Sequence, residues 1–199
     1  MVEKPKLSDL TEIKIHNIVD MGLTFSAMIR LFQKGSKKKL RKQILAEIGN
    51  VFKTESKDQF TTVHSKFCHW GVKNILQAEK KRRGRIIKNV APASYGQIAK
   101  TFDVVLKVAI YYSHLPSCEK SRAISRWLNA AVDRKKMTML KRSYPKALQP
   151  WPTTVEKVGV EDYKKIQQLV RKFIEEKHSG EILPVQFDDK YWYILNRRE

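Results

Sequence analysis

The chain has 199 residues, 42% of them hydrophobic, with 40 Lys and Arg against 20 Asp and Glu, a formal charge of +20. That apolar content can fill a core and excludes a disordered chain, while so large an excess of one sign costs self-repulsion unless a polyanion neutralises it. No window reaches the roughly 18 uninterrupted apolar residues of a membrane span, and the opening MVEKPKLSDL lacks the apolar centre of a signal peptide, so a soluble, cytoplasmic protein is expected.

From Ser8 to about Arg82 apolar residues recur at helical spacing, as in Phe25, Met28, Ile29, Phe32 and again Leu40, Ile44, Ile48, Val51. Breaks at Gly22, Gly35 and KTESKD divide this region into four expected helices. The last starts at a capping box, Ser56 with Gln59, and is expected to run through QFTTVHSKFCHWGVKNILQAEKKRR. Gly, Asn and Pro in GRIIKNVAPA (84–93) then predict a loop containing a short extended piece. Ser94 caps a helix over 95–115 that is apolar on nearly every side, as befits the centre of a bundle. A further helix restarts after Pro116, and three prolines in YPKALQPWPTT end the regular part. A helix from about Val160 to Lys177 follows, then two strand-like runs, ILPVQF and YWYIL, joined by DDK as in a hairpin. The expected fold is therefore mainly α. A basic helical domain (1–150) surrounds a central apolar helix, and a helix plus β-hairpin forms a C-terminal subdomain (151–199).

Charge is concentrated rather than spread. Residues 59–153 hold 19 basic and 4 acidic side chains, whereas residues 154–199 hold 9 of each. Three runs stand out: Arg30, Lys34, Lys37, Lys38, Lys39, Arg41 and Lys42; Lys80, Lys81, Arg82, Arg83, Arg85 and Lys88; and Arg134, Lys135, Lys136, Lys141, Arg142 and Lys146. Brought together, they would make a phosphate-binding surface, so nucleic acid is the expected partner. The alternative is an assembly protein whose basic face meets an acidic partner; in either case the chain could form a homodimer or larger assembly. SYGQIA is similar to the start of helices in winged DNA-binding domains. The turn such a motif needs near Asp103 has no glycine or cap, so a buried helix is the preferred reading. RRGRI also resembles an AT-hook, without its prolines, and sequence-blind contact with the backbone is the expected role.

Three patterns bear on chemistry. HSKFC and HLPSC share His-x3-Cys, so His64, Cys68, His114 and Cys118 could form a Cys2His2 zinc site; otherwise no cofactor is expected, and the two cysteines stay reduced. RKFIEEKH resembles the Arg-x4-6-His signature of the HEPN family, small helical ribonucleases that cut RNA without metal, often across a dimer interface. The resemblance implies roles for Arg171 and His178. A metal-dependent endonuclease would need clustered carboxylates, for which Asp103, Glu119 and Asp133 are the candidates in the basic region, while Asp188 and Asp189 read as turn residues. Binding rather than catalysis is the expectation.

Overall fold

The computed structural model describes residues 7–83 and 85–197. The fold is mainly α: α1 (Leu7–Phe25), α2 (Ser36–Phe52), α3 (Lys57–Asn74), α4 (Tyr95–Leu106), α5 (Cys118–Ser125), α6 (Arg134–Ser143), α7 (Val160–His178) and α8 (Pro184–Asn196). Short 3-10 turns lie at Ala27–Leu31 and Val155–Lys157, and α4 continues through Lys107–Tyr112 with π-helical winding. Two antiparallel strand pairs complete it: β1 (Leu76–Gln77) with β4 (Ala91–Pro92), and β2 (Lys80–Arg82) with β3 (Arg85–Lys88).

Helix α4 is the axle of the molecule. Ser94 accepts from the Gln97 N–H while the Gln97 side chain accepts from Ser94 N–H, a complete capping box that fixes its start. Helices α1, α3 and α7 and both 3-10 turns pack on it. Three of these neighbours touch at glycines, where backbones approach too closely for a side chain. A Cβ at Gly22 would stand 2.8 Å from Val105 Cα, one at Gly71 2.4 Å from Ile98 Cγ2, and one at Gly96 2.7 Å from the Val155 carbonyl oxygen. Gly22 therefore lies inside α1 as a packing residue, and the break expected there falls instead at Ser26.

Two other expectations are corrected. Helix α3 stops at Asn74 instead of running into the basic stretch, because its continuation is taken into pairing: Gln33 N–H donates to Leu76 O and Ala78 N–H to Leu31 O, and Phe32 bridges Gln77. The basic residues after it form a hairpin, with Arg82 opposite Arg85 and Arg83 at φ 49° in the turn. The C-terminal run expected as strands is helix α8, and the small hairpin of the fold lies at Lys80–Lys88. Pro184 suits the first turn of α8, and Phe187 and Tyr191, four apart, both pack on Phe173 of α7, which overrides the β-propensity of YWYIL. Trp151, Val158, Tyr163, Ile166, Val170 and Phe187 belong to the same apolar cluster as Leu40, Phe67 and Phe102. Among the described residues no helix is long and apolar enough to cross a membrane.

Candidate nucleic-acid interface

Each of the three cationic runs sends side chains to one groove. Arg30 comes from the first 3-10 turn, Lys80 and Lys88 from the paired ends of β2 and β3, and Arg134 from the first position of α6; Lys100 of α4 forms part of the floor. The groove encloses about 460 Å³, and Glu79, Asp133 and Glu156 are its acids. Arg30, Lys80 and Arg134 are exposed, whereas Lys88 is tied to Gln77 and Glu156. Tertiary structure creates this convergence, since Arg30 and Arg134 are distant in sequence and meet only where the first 3-10 turn and the start of α6 line one cleft with Lys100 of α4.

The remaining candidate cations divide by what they touch. Lys37, Lys38, Lys39 and Lys42 are exposed on α2; the first three stand in its first turn, where the helix dipole disfavours cations. Arg83 and Arg85 are exposed on the hairpin, and Lys141 and Arg142 at the end of α6, while the side chains of Lys81 and Arg82 lie outside the described residues. Three candidates have structural tasks instead. Arg41 Nε donates to Asp20 Oδ1 at 2.8 Å, Lys135 Nζ donates to Leu195 O at 2.9 Å and to Asn196, and Lys136 is buried. Lys136 faces inward because it sits on the same side of α6 as Met137 and Leu140, and its ammonium reaches Asp188 of α8, Ala131 O at 2.9 Å and Asp133 at 3.5 Å.

Beside the groove, and sharing Lys100 and Asp133 with it, lies a second cavity of about 340 Å³. One stripe of the central helix, Lys100, Val104, Lys107, Val108 and Tyr112, forms a wall, and Phe25, Tyr112 and Trp192 stand at its mouth, each half or more exposed. Its inner charges are largely compensated. Burial works against the Lys107 cation, but Asp188 and Asp189 outweigh it and push its pKa up to about 12. Burial likewise disfavours a charged Asp133, yet Lys136 and Lys100 hold its carboxyl below the usual range. Tyr112 donates to Asp189 Oδ2 at 2.6 Å, and burial together with that bond pushes its pKa up to about 12. Lys100 differs. Burial lowers its pKa, and what else bears on it is the charge of Asp133, Lys136, Asp188 and Lys107, with no hydrogen bond among these influences. Asp188 and Asp189, expected in a turn, are thus helix residues that pin α8 to α4 and α6.

The other chemical candidates do not assemble. His64 and Cys68 face each other in the core, Sγ to Nδ1 3.7 Å, but His114 and Cys118 are exposed, and no group of three potential ligands able to hold a metal occurs among the described residues. The partner of His64 is Asp103, at 2.9 Å from Nε2, and Asp103 also accepts from Tyr163 OH at 2.8 Å. Burial opposes a charged His64, yet Cys68 and Asp103 outweigh it and hold its pKa up to about 10. Closed off from the surface, this network joins α3, α4 and α7. Arg171 donates to the Trp127 and Leu128 carbonyls, while His178 contacts Tyr191 OH at 3.0 Å and Lys190 Nζ at 3.3 Å, so one serves the middle of α7 and the other its C-terminal end, about 10 Å apart along the axis. Glu119 is exposed at the start of α5 and stands apart from Asp103 in the core.

The sequence offers Phe25 as an apolar helix-face residue, and does not mark it, Lys100, Tyr112 or Trp192 as site residues. The available signal was two lone lysines, 100 and 107, on one face of an otherwise apolar helix, since an uncompensated charge there must reach a partner or an opening. Comparison of the chain with known protein families, with curated proteins and with solved structures returns no match.

Proposed function

We propose that this protein binds nucleic acid, with the phosphate backbone seated in the groove between the hairpin, the first 3-10 turn and α6. The observation that carries this reading is the meeting of Arg30, Lys80, Lys88 and Arg134, drawn from all three cationic runs, in one cleft. A chain of +20 needs a polyanion more than a structural reason for such a meeting. Further exposed cations stand on the hairpin (Arg83 and Arg85), on α2 and at the end of α6, and add to the positive charge of the surface. The contacts are with phosphates, so affinity depends on charge and salt before it depends on sequence.

Salt titration tests this. Each phosphate contact contributes about −0.7 to −0.9 to the slope of log K against log salt. Replacing Arg30, Lys80 and Arg134 together with Ala, all exposed positions, is expected to lower that slope by about 2 to 3 with the melting temperature unchanged. A slope the same in variant and wild type, or no binding at low salt, overturns the proposal.

A further inference from the structure

We infer that the cavity beside the groove is a base-stacking site, so that the ligand is single-stranded nucleic acid with a base held among Phe25, Tyr112 and Trp192. This inference rests on the phosphate-binding reading of the groove and identifies the class of ligand that reading leaves open. Phe25 is 65% exposed, Tyr112 53% and Trp192 59%, and all three line one opening although they come from α1, the end of the central helix and α8. Three large aromatic faces left to water around one opening cost hydrophobic free energy that a stacked ring would recover. The volume, about 340 Å³, lies within the roughly 300–1,000 Å³ of small-molecule sites.

Charge and continuity decide which aromatic ligand fits. The cavity and the groove share Lys100 and Asp133, so a strand whose phosphates lie along Arg30, Lys80 and Arg134 has the aromatic cavity adjoining its track. A cationic track with adjoining aromatic faces is the arrangement by which unpaired strands are held, because every base offers a face for stacking. In a duplex those faces are already stacked on their neighbours and cannot enter. The ring of Tyr112 is fixed for this purpose by its bond to Asp189 and by Lys107, whose ammonium lies 5.9 Å from the ring centroid. Inside, the Asp188 and Asp189 carboxylates are occupied by Lys107 and Lys136, and Lys100 faces Asp133, so the inner charges balance and the rings at the opening are left to the base.

The experiment compares an oligothymidylate of about a dozen nucleotides with an abasic strand of equal length and charge, by anisotropy, in wild type and Trp192→Ala. The thymidylate is expected to bind wild type about tenfold or more tighter than the abasic strand, the worth of one stacked base. Trp192→Ala should bind both strands as wild type binds the abasic one. Tryptophan emission should be quenched by the thymidylate alone, and the quench should vanish in Trp192→Phe while most of the affinity remains. Phe25→Ala, on a different helix, should reproduce the loss and guards against a local effect on α8. Equal binding of the two strands by wild type, or an unaltered preference in Trp192→Ala and Phe25→Ala, overturns the base site and leaves the groove reading standing. Failure of both strands to bind at low salt overturns the two readings together.

Discussion

Replacing Asp188 with Asn tests how the C-terminal helix is held. The Asp188 side chain is 5% exposed and is shared by Lys136, 2% exposed, and Lys107, 15% exposed. The introduced amide would fill the same volume but leave Lys136 a buried cation whose remaining partners are Ala131 O at 2.9 Å and Asp133 at 3.5 Å. Removing one partner of a buried ion pair costs about 3–5 kcal/mol. The two surviving contacts place this case near the lower end, at about 3 kcal/mol. At about 2–4 °C per kcal/mol for a chain of this size, the melting temperature should fall by roughly 6–12 °C. Circular dichroism melts and urea titrations at neutral pH measure both quantities. In the double variant Lys136→Met, Asp188→Leu neither charge is left stranded, Lys107 keeps Asp189, and most of the loss should be recovered. A melting temperature for Asp188→Asn within about 1 °C of wild type would refute the reasoning, since Lys136 would then be shown to reach water or another anion.

Two further predictions concern pH, and they stand with those made above for the cationic groove and the aromatic cavity. Because the folded pKa of His64 is held above its ordinary value of about 6.5, its charged partnership with Asp103 contributes fully below that pH. The contribution is lost as pH rises toward about 10, so wild-type stability should decline across this window. His64→Gln should be less stable at pH 6 and show a flatter profile in parallel melts; identical profiles would count against the assignment. Lys100 has the opposite sign, a pKa lowered by burial, so it loses its proton before ordinary lysines as pH rises. Affinity for a polyanion should weaken in alkaline solution through this group, and Lys100→Arg should hold its affinity there; matching pH curves for the two proteins would exclude Lys100 from the contact.

Much of the fold was legible because its signals are local. The Ser94 capping box, the helical spacing of Leu40, Ile44, Ile48 and Val51, and the all-round apolarity of the central helix each report on a few neighbouring residues, and each appears where expected. The errors fall where distant parts decide. Gly22 reads as a break until Val105 is placed against it, and YWYIL reads as a strand until Phe173 offers a helix face to Tyr191. Lys136 and Arg134, two residues apart in one cationic run, are indistinguishable in the sequence; one is buried against Asp188 and the other lines the groove. The cationic runs were visible, but their meeting was not, since it depends on tertiary structure bringing the first 3-10 turn, the hairpin and the start of α6 to one cleft.

That axis also acts as a ruler. Lys100, on the floor of the groove, and Tyr112, at the mouth of the cavity, belong to one uninterrupted rod clasped at Gly22, Gly71 and Gly96, so their separation cannot adjust to the ligand. From Lys100 to Leu106 the rod rises about 9 Å, and the last turn, to Tyr112, is π-wound. For a strand that engages both the cations of the groove and the rings of the cavity, affinity measured against length should rise in a step, at a position set by the protein's backbone rather than by the composition of the strand.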